Sequence, residues 1–234
     1  RGLYYWEQFT PEALQLALEY FNQSVELDPQ WGPGYASIAY YWIAIRQYGL
    51  APPSVTLPRI YENIEKAKEM DPGSDHTLYV SALASVWTGF NWEKGEEEFL
   101  QLLDRNPNHS LGHMYYSHLL TIIKRDREAL AHCRKAVELD PMNPMVLALG
   151  SMALSFVGEN EESIEVGEKA LSLAPGNAAA ISGLYTAHAK LGNYKQSFDY
   201  WMQILSIPDK IHTEVLTMVD QNGFAAAAEK FAEE

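Results

Sequence analysis

Val25-Glu-Leu-Asp-Pro29 returns as Lys68-Glu-Met-Asp-Pro72, Leu103-Asp-Arg-Asn-Pro107, Val137-Glu-Leu-Asp-Pro141 and Leu171-Ser-Leu-Ala-Pro175, with a weaker echo at Leu205-Ser-Ile-Pro208. Each phrase ends an apolar-striped stretch with a proline. Proline lacks a backbone N–H and pushes the residue before it out of helical geometry, so a helix must close there. The six prolines lie 43, 35, 34, 34 and 33 residues apart. A near-constant spacing means stacked copies of one structural unit. The 43 is one unit with nine residues inserted, and the 35 carries one extra residue.

Between closing prolines the pattern is a helix, a turn and a second helix. Turn signals sit mid-unit at Phe156-Val-Gly-Glu-Asn160 and Lys190-Leu-Gly-Asn-Tyr194. With the closing proline as position 32, large residues recur at positions 4, 7, 11 and 24 and small ones at 8 and 27. In the second unit these are Tyr35, Ile38, Ala39, Trp42, Ile64 and Ala67; in the fourth, His113, Tyr116, Ser117, Leu120, Cys133 and Ala136. Small residues belong where two helices cross closely, and large ones fill the space beside the crossing. Tyr185, at position 8 of the sixth unit, departs from the pattern.

Period and positions resemble the tetratricopeptide repeat family over nearly the whole chain. The resemblance implies an all-α, right-handed superhelical solenoid of antiparallel helix pairs. The expected organisation is an irregular unit over 1–31, a unit over 32–74 with a loop insertion at 48–58, and units over 75–109, 110–143, 144–177 and 178–209. Capping helices over 210–234 would cover the last apolar face. The extra residue of the third unit is expected in the turn at Trp92. Arg1-Gly-Leu-Tyr-Tyr-Trp6, Thr10-Pro-Glu-Ala-Leu14, Tyr48-Gly-Leu-Ala-Pro-Pro53, Asn91-Trp92 and Asn106-Pro-Asn-His109 also look like the repeat region of bacterial signalling proteins. Those carry kinase, nucleotide-cyclase or winged-helix domains elsewhere in the chain. Opening on Arg1 and stopping in a helical run, the sequence reads as a piece of such a longer protein.

In this family the concave face is lined by positions 2, 5, 9, 12 and 13 of each first helix. Carried over residue by residue, the candidate partner-binding set is Tyr40, His76, Tyr79, Leu83, Trp87, Met114, His118, Met145, Met152 and Phe156. These are aromatic, aliphatic and thioether surfaces suited to an apolar helix or extended segment. The same residues could instead fill the groove by packing on one another. Lys190 is the one cation at these positions, which argues against a clamp for the carboxylates of a chaperone tail. Self-association, packing on the chain's own output domain and small-molecule sensing are the alternatives to a separate protein partner.

The 234 residues carry 17 Lys+Arg against 31 Asp+Glu, a formal net charge of −14. That disfavours nucleic acid or an anionic membrane as the main partner. The acidic runs, such as Glu93-Lys-Gly-Glu-Glu-Glu98, read as a solvated outer face. No apolar run long enough to span a bilayer is present. A single cysteine permits no internal disulfide and fits a cytoplasmic or periplasmic setting, the former preferred. Cys133 falls on a packing position and reads as an inert thiol. His109 and His113 have the i, i+4 spacing of a metal pair, with His118 nearby, but their repeat positions send them in different directions. Neither a catalytic constellation nor a glycine-rich phosphate loop is found. The expectation is a non-catalytic module with no cofactor and no metal.

Overall fold

The computed structural model describes residues 1–8 and 11–204, together with Thr213 and Thr217. Every regular element among them is helical. The helices are α1 (Gly2–Gln8), α2 (Pro11–Leu27), α3 (Gly32–Gln47), α4 (Pro53–Met70), α5 (Asp75–Leu83, extended by a π turn over Ala84–Thr88), α6 (Trp92–Arg105), α7 (Ser110–Ile122), α8 (Asp126–Leu139), α9 (Pro144–Val157), α10 (Asn160–Leu173), α11 (Ala178–Lys190) and α12 (Tyr194–Ile204). They form six consecutive pairs, three in a unit over 1–108 and three in a unit over 109–234. Within each unit a pair's two helices pack together; α3 also packs on α5, α7 on α9 and α9 on α11, while the first pair joins the second through α2 and α3. The capping helices expected over 210–234 lie outside the described residues.

The recurring phrase does what its chemistry requires. α2, α4, α6, α8 and α10 each end one residue short of the residue that precedes the closing proline. Asp71, Asn106, Asp140 and Ala174 then sit outside helical geometry, while their N–H groups still bond back to Ala67, Leu102, Ala136 and Ala170. The next helix is capped two residues beyond the proline. Ser74, Asn143 and Asn177 accept backbone N–H groups of α5, α9 and α11. His109 does the same for α7, its Nδ1 accepting from Gly112 N at 2.9 Å. Such caps satisfy donors that the first helical turn leaves unpaired.

Two local expectations are corrected. The insertion expected as a loop over 48–58 is a loop only over 48–52, because α4 begins at Pro53. Proline is well placed in a first turn, where its missing N–H has no helical partner to lose. Pro58 lies one turn further in and removes a single bond, which the other side of α4 offsets by burying Thr56, Ile60, Ile64 and Ala67. The extra residue of the third pair does not widen the turn at Trp92. It is absorbed inside the helix as the π turn, where Gly89 N bonds to Ala84 O and Asn91 N to Ser85 O. A π turn is the usual outcome when one residue is added to a helix whose two flanks are held in place.

The core of the first unit gathers Trp6, Leu14, Phe21, Ile38, Tyr41 and Ile45. It also contains a buried carboxylate. Glu98 of α6 accepts from Ser81 Oγ (2.5 Å) and Ser85 Oγ (2.7 Å), and Lys68 Nζ lies 3.0 Å away. In the second unit Met114, Cys133, Ala136, Val146 and Leu154 form one cluster, and Leu147, Ala148, Ala170 and Ala180 another. Here α9, α10 and α11 meet around Ser151. Its hydroxyl donates to Ser163 O at 2.9 Å, and Ser163 Oγ returns a bond to Ser151 O at 2.7 Å.

Candidate functional site

The structure sorts the first-helix residues by repeat position. Position 5 is core: Ala36, Tyr79, Met114 and Ala148 are all buried. Positions 2 and 9 are mostly half-buried, with Tyr40, His76, His118, Met145 and Met152 partly open and Leu83 covered. In the second unit position 13 is outermost, where Phe156 is 48% exposed. The reason is geometric. Position 5 points along the row of first helices into a neighbouring helix of the same unit, whereas 2, 9 and 13 lie one above another on the outward stripe.

In the first unit the stripe is a chain of rings. Trp6 of α1 meets Tyr40 of α3 at 4.9 Å between centroids, and Tyr40 meets Tyr79 of α5 at 5.9 Å. His76 lies beside Tyr79 at 6.4 Å, with its Nε2 3.1 Å from Ser37 Oγ. Trp87 turns inward, edge-on to Phe99 of α6. Among tilted aromatic pairs such contacts each contribute about 0.5–1.5 kcal/mol beyond area burial. They hold Trp6 and Tyr79 as a buried base beneath the half-buried Tyr40 and His76.

In the second unit α9 carries no charged side chain over Pro144–Val157 and directs Met145, Met152 and Phe156 outward. His118 of α7 borders this row. Its Nε2 lies 2.9 Å from Leu149 O, so that nitrogen carries the proton, and burial holds the ring below the usual histidine range. Lys190 of α11 donates to the Ser155 carbonyl near the end of α9. A cation at a helix C-terminus meets the negative end of the helix dipole. The cation a carboxylate ligand would need is thus engaged by the protein's own backbone.

The three histidines considered as metal ligands go separate ways. His109 caps α7, His118 faces α9, and His113 Nδ1 lies 2.7 Å from His132 Nδ1 on α8. No cluster of three metal-ligating side chains occurs among the described residues. Burial pushes the Cys133 thiol up to about 12, which removes the thiolate needed for nucleophilic chemistry. The sequence did not reveal the His113–His132 contact. Its signal was available: positions 4 and 23 of one unit face each other across the pair, as the fourth unit's two histidines do.

No family model matches the sequence, and no curated protein matches it. Solved structures do share its backbone. A monomeric IFIT1 mutant with m7Gppp-AAAA superposes at a TM-score of 0.69 with 15% identity, over 85% of this chain and 47% of IFIT1. The chain therefore spans about half the length of that protein. PilW, a widely conserved type IV pilus biogenesis factor, matches at 0.61 with 13% identity, over 88% of this chain and 90% of PilW. MamA from Desulfovibrio magneticus RS-1 matches at 0.52 with 18% identity, over 72% and 94%. At these identities the likeness speaks to fold, and it joins a 34-residue period of helix pairs closed by proline. The fold is tetratricopeptide-like. The half-open first-helix side chains are Tyr40 and His76 in one unit and include Met145 and Met152 in the other. Among the described residues no helix is long and apolar enough to cross a membrane.

Proposed function

We propose that the chain is a non-catalytic protein-interaction module, a scaffold or sensor part of a larger regulatory or signalling protein. It binds an apolar or aromatic helix or extended peptide on its outward first-helix face. The observation that carries this reading is α9. Fourteen residues without a charge present Met145, Met152 and Phe156 as one partly exposed row. Unbranched methionines adapt to varied apolar partners, and the phenyl ring supplies an anchor. Of the ten residues expected to bind, Tyr79, Leu83 and Met114 are buried and would act by supporting the row rather than touching a partner. The RNA in the IFIT1 structure is not carried over, because a net charge of −14 opposes phosphate binding.

The test is a peptide-display selection against the whole chain, followed by fluorescence anisotropy with the selected peptides. The triple variant Met145→Ser, Met152→Ser, Phe156→Ser should bind at least tenfold more weakly, about 1.4 kcal/mol, with unchanged helical circular dichroism. Equal affinity for the variant would remove α9 from the binding face. A peptide ending in acidic residues and a free carboxylate should not bind measurably.

A further inference from the structure

The π turn leads into one edge of the first unit. The turns 48–52 and 89–91 both join the first to the second helix of a pair, and α3 and α5 pack side by side, so both turns lie on the same edge. That edge is apolar and open. Phe90 is 67% exposed, Leu50 59%, Tyr48 57%, Trp92 45%, Tyr61 44% and Val55 38%. Tyr61 reaches across from α4 to the third pair, its hydroxyl 3.4 Å from where a Cβ on Gly89 would lie. Phe90 has φ +52, in the left-handed region that favours glycine. A strained backbone thus holds a phenyl ring in water where glycine would sit without strain. The matching turn residue is Gly49, Lys124, Gly158 or Gly192 in the other pairs, so what sets this turn apart is an exposed ring at a helix-ending position.

We propose that this edge is the contact through which a second copy of the chain binds, in a two-fold symmetric dimer. Charge selects that occupant. The segments forming the edge, 44–60 and 88–97, hold Arg46, Arg59 and Lys94 against Glu93, Glu96 and Glu97. Three charges of each sign cancel, while the chain as a whole is at −14. Glu62, next along α4, is already paired with Lys66 at 2.8 Å. Elsewhere like charge repels a second copy; here a mixed-sign rim is its own complement, as an isologous interface requires. A strongly basic or acidic partner would find no excess of opposite charge. Area agrees. With 150–250 Å² for each large side chain, the exposed fractions give on the order of 600 Å² of apolar surface. That is at the top of what monomers leave bare, and with its polar rim it approaches the roughly 800 Å² per partner of a stable interface. Arg59, stacked 4.2 Å over Trp42, is held flat at the margin rather than projecting into the contact.

The experiment is sedimentation velocity on the whole chain from about 1 to about 200 µM, the range expected for an interface of this size. The wild-type mass should rise from 26.4 kDa toward twice that value. The variant Phe90→Gly with Trp92→Glu should weaken association at least tenfold and stay at the monomer mass. Phe90→Gly also relieves the backbone, so the loss cannot be laid to unfolding, and circular dichroism should be unchanged. A control, Leu3→Glu with Leu27→Glu, alters exposed apolar residues of α1 and α2 instead and should dimerise as the wild type does. A wild type that stays monomeric throughout, an edge variant that dimerises normally, or a control that alone abolishes the dimer would each overturn the proposal.

Discussion

Replacing Gly183 with alanine should destabilise the second unit by about 2 kcal/mol, although alanine is the better helix former. Gly183 lies mid-way along α11, where it crosses α9. A Cβ built there would sit 2.3 Å from Ser151 Oγ, 2.8 Å from Met152 N and 2.8 Å from the Ser151 carbonyl carbon. Two of those atoms are backbone and cannot rotate away. The third is the hydroxyl that bonds Ser163 O, so moving it breaks the tie between α9 and α10. Relief therefore requires α9 and α11 to part by several tenths of an ångström. With two immovable backbone contacts the cost lies at the upper end of the overpacking range, about 3 kcal/mol, against about 1 kcal/mol gained in helix propensity. Gly150 supplies the comparison. Its built Cβ meets Met114 Cε and Val137 Cγ2 at 3.2 Å and Val166 Cγ1 at 3.6 Å, all ends of side chains. Gly150→Ala should be neutral within about 0.5 kcal/mol. Urea unfolding followed by circular dichroism separates them. With a slope of about 2 kcal/mol per molar, Gly183→Ala should lower the midpoint by roughly 1 M and Gly150→Ala should leave it in place. Equal midpoints for the two variants would refute the reading of the crossing.

Stability should fall as pH drops from about 6.5 to about 4. The His132 pKa is lowered to about 4 by burial and by His113, so in this window the unfolded chain binds more protons than the folded one. Solvent screening of the half-buried ring brings the loss to about 2 kcal/mol, and it should be flatter in His132→Asn, measured by denaturation across pH. Glu98→Ala leaves Ser81, Ser85 and Lys68 without their shared acceptor and should cost about 3 kcal/mol, read as a lower denaturation midpoint. Cys133 should resist thiol reagents in the folded protein and react on unfolding, as a colorimetric thiol titration would show.

The fold was legible because its signals are local. The proline phrase stops a helix through its own covalent structure, and Ser74, Asn143 and Asn177 start the next through their own side chains. The small residues at the crossings, such as Ala39, Ala67, Ser117 and Ala136, are all buried as their spacing implied. What stayed hidden depends on partners distant in sequence. The extra residue of the third unit showed in the proline spacing, but a π turn leaves the apolar pattern of α5 nearly unchanged, so its location did not show. Pro52, Pro53 and Pro58 read as loop, yet two of them serve α4, whose buried side outweighs one lost bond. The candidate face was legible as a set of positions and not as exposure. Tyr79 and Met145 looked equivalent until the neighbouring helix covered one and left the other half open. The crowding around Ser151 was invisible for the same reason, since Gly183 in a sequence is only a weak helix former.

The π turn has a consequence for how such a chain changes over time. A residue added to a repeat array would ordinarily shift the phase of everything downstream, rotating each later helix by about 100°. Here the 35-residue spacing is followed at once by two of 34, so the disturbance is spent within a single helix. The side chains beyond it keep their register. The turn that follows carries Phe90, 67% exposed. An array built this way can gain a surface feature by a one-codon insertion without re-optimising its core. It can lose the feature by a one-codon deletion, which makes length, more than substitution, the easy route by which its edges diversify.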